Sequence, residues 1–273
     1  MFSSQAFSNP LDDFPEEESP LGLFFSSPSE REDNSQVSLH LSSPLLSDSL
    51  FLNHLSTVPV EEDVFRDAQI YFPDALNDET EILHWQIDQP TKSFSQFQKE
   101  QAAQPDANLL ESIVLQLCEI VHVLHSNEQA NIPITSHMLR FREDGSPLLL
   151  VLPVEAGQAF DPATRKAIFP PLFSAPELEQ RFGMHPQAYS YNIGVLAALL
   201  NGYVPDNTSP AEALHAELQA WISNMPDSPL KEVLQQSLDA DCELRPYCPM
   251  KLHKALCGSQ PHDCVNCQAR ESK

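Results

Sequence analysis

Apolar positions fall along this chain in two ways, as runs at helical spacing and as brief isolated knots. From Ile193 to Leu200 no charged or polar side chain interrupts the run Ile-Gly-Val-Leu-Ala-Ala-Leu-Leu. A helix built from it is apolar on every side, and such a helix must be wrapped by others. Asn201-Gly202 follows, residue types that tolerate the left-handed conformation at a helix C-terminus, and Pro205 comes shortly after. The run is too short to cross a bilayer, which takes about 20 apolar residues. Tyr189 to Gly202 therefore reads as the central pillar of a mostly helical soluble domain.

Other segments supply the wrapping. Leu109, Leu110, Ile113, Leu117, Ile120, Val121 and Leu124 recur at spacings of three and four, which puts them on one face of a helix N-capped by Asp106. Met138 to Phe141 and Leu148 to Leu152 read as a hairpin through Glu143-Asp144-Gly145. Ser209-Pro210-Ala211-Glu212 has the form of a capping box with proline at the first helical position, and Leu214, Leu218, Trp221 and Ile222 give that helix its buried face. Another helix starts at Ser228-Pro229 and buries Leu230, Val233, Leu234 and Leu238; the last runs from Pro249 to Leu256. Ala68 to Phe72 and Glu81 to Ile87 are short candidate strands, and Val154 to Phe173, with Pro162, Pro170 and Pro171, has loop character. The expected fold class is mainly α with a few short β-strands.

Residues 1–60 mix Ser, Pro, Asp and Glu with apolar knots that keep no period. Such a stretch cannot bury enough surface to offset its ordering entropy, so a disordered arm is expected, followed by a domain over 61–256 and a Cys/His-containing tail over 257–273. The knots could fold on a partner, and a Ser-rich start also suits the leaders that some bacterial secretion systems accept. Lys+Arg 15 against Asp+Glu 39 gives a formal charge of -24. That surface repels phosphate backbones and anionic lipid, so nucleic acid is not expected as a partner and a protein with a basic surface or helix is. The plainer reading is that acidity only keeps the chain soluble. The 7 glycines are scattered, leaving no cluster to cradle a phosphate. Six cysteines are too few for a disulfide scaffold in this length, which suggests reduced thiols and a cytoplasmic setting, with export into a host cell as the other option.

The order of parts resembles the C-terminal lobe of a protein kinase over about Ile82 to Leu256. The resemblance rests on a helix ending in Leu124-His125, a hairpin through Glu143-Asp144-Gly145, Ser174-Ala175-Pro176-Glu177 closing a loop, an apolar helix with internal Gly194, and Arg245-Pro246 among the last helices. It implies an ion pair between Glu177 and Arg245 that ties the activation segment to the last helices. It also implies a catalytic loop on Asn131 to Met138. There the proton-accepting Asp becomes Pro133, the magnesium-binding Asn becomes Met138, and the metal-binding Asp of Asp-Phe-Gly becomes Val151. Phosphoryl transfer works through magnesium ions held by such oxygen-bearing side chains, and proline, methionine and valine offer a hard cation nothing. Upstream there is no Gly-rich loop and no Val-Ala-Ile-Lys strand. The chain thus also resembles the kinase non-catalytic C-lobe domain family, whose members grip other proteins.

The expectation is a catalytically inactive scaffold acting as adaptor, regulator or secreted effector. Its rival is a divergent kinase that still binds ATP and transfers phosphate through unrecognised residues. The tail raises a separate question. Cys264-x-x-Cys267 has the spacing of a zinc knuckle, Cys257 and His262 could complete four ligands, and His253 stands on the preceding helix. Ordinary reduced thiols are the alternative. His125 reads as a core or capping histidine and Trp221 as core, and the acidic Glu212, Glu217, Asp227, Asp239, Asp241 and Glu243 read as a solvated face or a basic-partner surface.

Overall fold

The computed structural model describes residues 24–26, 36–40, 62–73, 82–104, 106–127, 134–151, 170–179, 186–206 and 209–258. In chain order the elements are β1 (Phe24–Ser26), β2 (Gln36–His40), α1 (Glu62–Asp67), β3 (Ile70–Tyr71), β4 (Ile82–Gln86), β5 (Lys92–Ser93), α2 (Phe94–Ala103) and α3 (Ala107–Ser126). There follow β6 (Leu139–Phe141), β7 (Pro147–Leu150), α4 (Pro186–Leu200), α5 (Ala211–Ser223), α6 (Pro229–Ser237) and α7 (Pro249–Cys257). Short 3-10 turns lie at Ser136–Met138, Pro171–Phe173, Pro176–Glu179 and Cys242–Leu244. Among the described residues the chain is mainly helical, with a minority of strand.

The apolar run becomes α4, and every residue from Gln187 to Leu200 is buried. Helices α3, α6 and α7 pack on it, and the turns Pro171–Phe173 and Cys242–Leu244 close further sides. Close approach to α6 depends on Gly194, where an added Cβ would come within 2.3 Å of Ser237 Oγ and 2.8 Å of Leu238 Cγ. Gly202, at φ 92, ends the pillar in the left-handed region. Gln98 of α2 donates to Leu199 O at 2.7 Å, satisfying one of the carbonyls that a helix end leaves open.

Asp106 caps α3, its Oδ1 accepting from the N–H groups of Asn108 and Leu109 at 3.0 and 3.2 Å. Ile113, Val114, Leu117, Val121 and Leu124 are fully buried, facing α4, α7 and β7. Among the described residues α3 alone is long and apolar enough to cross a membrane by length and composition, and one face of it is buried against protein.

Strands β6 and β7 form an antiparallel hairpin with Leu139 opposite Leu149. Its turn uses Gly145 at φ 84, and Asp144 Oδ1 accepts from Ser146 N at 2.9 Å. With β3 parallel to β7 and β5 antiparallel to β6, the sheet order is β3-β7-β6-β5. Phe97 of α2 stacks on Phe141 of β6 with centroids 3.9 Å apart. A second sheet has the order β1-β2-β4, antiparallel throughout.

Several local expectations differ from this. Strands β1 and β2 fall in the stretch expected to lack order; β2 is organised by β4, with Val37 opposite Trp85 and both side chains buried. The rest of residues 1–60 lies outside the described residues. Helices α1 and α2 were not anticipated, and the Ala68 to Phe72 strand shrinks to Ile70–Tyr71 behind α1. The expected capping box at Ser209 does not form: Pro210 occupies the N-cap without a side-chain bond, and Ser209 Oγ donates instead to Glu217 Oε1 at 3.1 Å. Most of the expected loop from Val154 to Phe173 lies outside the described residues. Replacing Gly194→Ala forces α4 and α6 apart, and urea denaturation is expected to show a loss of about 1–3 kcal/mol.

Candidate functional site

Two segments remote in sequence converge on the N-terminal half of α4. Glu177, in the 3-10 turn Pro176–Glu179, pairs through Oε2 with Nη2 of Arg245, which follows the turn Cys242–Leu244. Both side chains are buried, 0% exposed for Arg245 and 8% for Glu177. Arg245 also donates through Nη1 to the Gln187 carbonyl at 3.4 Å and lies 5.4 Å from the centroid of the Tyr191 ring. Cation–π attraction strengthens when the pair is desolvated, as here. Ser190 Oγ donates to Pro246 O at 2.6 Å, adding a second tie between α4 and the same turn.

Asn192 makes the third connection. Its Oδ1 accepts from Ile134 N at 3.1 Å and its Nδ2 donates to Phe173 O at 2.7 Å, with the side chain wholly buried. One amide on the pillar thereby fixes the chain before β6 and the turn before Glu177. Reading the sequence alone passed over this residue, since a single Asn in an apolar helix announces no partner until the fold brings two backbone segments to it.

The positions matched to magnesium ligands are both in the core. Met138 is 2% exposed and Val151 is 3% exposed. Val151 N donates to Tyr71 O at 2.9 Å, extending the β3–β7 pairing. Neither side chain carries an oxygen, and their burial is what apolar groups of that size require. Pro133 lies outside the described residues. No family model matches the chain, and no curated protein matches it either.

Several histidines sit in low-dielectric surroundings. His125 is buried, edge-on to Tyr247 with centroids 5.3 Å apart. Desolvation, aided by the nearby His122, holds it below the usual imidazole range. Desolvation does the same for His137. For His215 desolvation leads, Arg245 adds to it, and Asp239 opposes it; His215 Nδ1 lies 3.4 Å from the Tyr191 hydroxyl.

Helices α3 and α7 bring sulfur, imidazole and carboxylate together. Cys257 Sγ lies 3.4 Å from His253 Nδ1, one helical turn back, and His253 Nε2 lies 3.3 Å from Glu119 Oε1 on α3. Burial pushes the neighbouring Cys118 thiol up and keeps it protonated. Of the four residues proposed from sequence as metal ligands only Cys257 is described; His262, Cys264 and Cys267 lie outside the described residues. Among the described residues no group of three or more His, Cys, Asp or Glu side chains is placed to hold a metal ion.

Truncating either member of the buried pair strands the other as an uncompensated charge. Glu177→Ala and Arg245→Ala are each expected to destabilise the fold by about 3–5 kcal/mol, read by chemical denaturation; an unchanged melting temperature in both would contradict this. Stability should also depend on pH through the three shifted histidines. Their folded values lie below the ordinary 6.5, so between the two the unfolded chain binds more protons and stability rises with pH. The contribution is complete above about 6.5 and is lost as pH falls toward the folded values. Urea unfolding between pH 7.5 and 5.5, two settings flanking the ordinary imidazole range near about 6.5, should therefore show falling stability, with a shallower slope in His215→Asn.

Proposed function

We propose that this chain is a degenerate protein-kinase C-terminal lobe that transfers no phosphate and works as a scaffold binding another protein. The observation that carries the reading is the buried pairing of Glu177 with Arg245 across the sequence. It links the two segments that the kinase resemblance links. The supporting parts stand in the same order: α3 carries Leu124-His125 in its last turn and ends at Ser126, the hairpin turns at Gly145, and α4 carries Gly194 against α6. Met138 and Val151, which the resemblance matches to two magnesium-binding side chains, are buried apolar groups. A lobe in that condition has no means of positioning a nucleotide's phosphates, and its use then lies on its surface.

The partner suggested by that surface is basic. Asp241 and Glu243 are exposed in and beside the turn Cys242–Leu244, and Leu244 at its end is 67% exposed. An apolar tip beside carboxylates, on a chain of formal charge -24, suits a basic amphipathic helix. Such a scaffold could serve as an adaptor, a regulator or a secreted effector.

Thermal melting of the full chain with and without magnesium and ATP separates this reading from a divergent kinase. No shift in melting temperature and no autophosphorylation are expected. Reproducible stabilisation by nucleotide would overturn the inactive-lobe reading. For the surface, Leu244→Asp should weaken capture of any partner found with the parent chain while leaving melting unchanged.

A further inference from the structure

Arg140 carries a buried charge that no carboxylate among the described residues meets. It stands in β6, with Ser93 of β5 across from it on one side and Leu148 of β7 on the other. Leu139, Phe141 and Leu148 around it are fully buried, and Arg140 itself is 8% exposed. Desolvation pushes its guanidinium down to about 10, which still leaves it charged at neutral pH. Arg245, equally enclosed, has Glu177 beside it. Acids near the Arg140 strands are engaged elsewhere: Glu100 pairs with Lys92 at 2.7 Å, and Asp88 accepts from the Tyr71 hydroxyl at 3.3 Å.

The acceptors that Arg140 does reach belong to one residue, Thr91, which is also buried. Nε donates to Thr91 Oγ1 at 3.3 Å and Nη2 donates to Thr91 O at 3.4 Å. Both contacts are longer than the usual N–H···O range of about 2.7–3.2 Å. Arginine offers donors and no acceptor, so the Thr91 hydroxyl, which takes Nε on a lone pair, keeps its own proton to give. Arg140 Nη1 and the Thr91 O–H are thus two donors at one buried contact, with no acceptor for either among the described residues.

A charge removed from water is costly until an opposite charge or a full set of hydrogen bonds completes it. We propose that Arg140 and Thr91 form a binding site for a small monocarboxylate, gripped by the guanidinium fork and the threonine hydroxyl. A planar carboxylate matches the planar guanidinium and accepts two parallel N–H bonds from it. One negative charge also balances the one buried positive charge. A phosphate monoester, at about -1.5 to -2, leaves a surplus inside a chain whose formal charge is already -24. The slight exposure of Arg140 restricts the ligand to a small one. The site is independent of the kinase-lobe reading, since a simple carboxylate carries neither nucleoside nor phosphate.

Acetate is the probe. Melting of the full chain at neutral pH in sodium acetate is compared with melting in sodium chloride of equal ionic strength. Acetate is expected to raise the melting temperature along a saturating curve that chloride does not reproduce. Saturation-transfer difference NMR should show magnetisation passing from the protein to the acetate methyl group. Arg140→Gln removes the charge and should lose both signals. Thr91→Val keeps the guanidinium, removes the hydroxyl, and should weaken acetate about tenfold. Circular dichroism of each variant establishes that it is folded, and Thr91→Val decides the matter where Arg140→Gln does not fold. Absence of both acetate signals in the parent chain would overturn the proposal. So would equal acetate binding by the parent and the folded variants, which marks an adventitious ion only. Saturable stabilisation by sodium phosphate with none by acetate overturns the carboxylate assignment.

Discussion

A helix with no polar face cannot meet water on any side, and that constraint on α4 organises the molecule. Buried from Gln187 to Leu200, it has to be enclosed by α3, α6, α7 and the intervening turns. The few polar atoms it carries are therefore obliged to find partners inside the protein. Ser190 and Asn192, with the Gln187 carbonyl, meet that obligation by binding the turn at Pro246, the backbone at Ile134 and Phe173, and the Arg245 guanidinium. What would be a defect in an isolated apolar helix becomes the means by which three distant segments are registered on it.

The Glu177–Arg245 pair belongs to the same logic. Removing both charges from water is expensive, and their mutual attraction offsets this only when the remaining hydrogen-bonding capacity is used. Arg245 uses a second donor on Gln187 and places its charge against the Tyr191 ring, while Arg245 Nε and Glu177 Oε1 are buried without a hydrogen-bond partner, so the offset is incomplete. Such a pair adds little net stability compared with well-packed apolar side chains. It does exact a heavy penalty from any arrangement that brings one member into the core without the other, so its role in this fold is to specify which segments meet.

The elements that were legible in the sequence are those decided locally, by apolar spacing together with cap and turn residues. The uncharged run at Ile193 to Leu200, the α3 face headed by Asp106, the Asp144-Gly145 turn and the Ser228-Pro229 start each follow from local chemistry. Helix α2 was not legible because only Phe94 and Phe97 are buried among its ten residues. That pair gains meaning from Phe141, on a strand contributed later in the chain. Strand β2 needs β4, and the Ser209 hydroxyl is diverted to Glu217; neither partner is visible in a local window.

Met138 and Val151 are apolar and buried in the core. The account rests on Glu177 and Arg245 acting as one unit that joins the loop before α4 to the last helices. A double-mutant cycle on that pair tests it most directly. Coupling of about 1–3 kcal/mol between Glu177→Ala and Arg245→Ala is the predicted result, and additivity to within about 0.5 kcal/mol would contradict it.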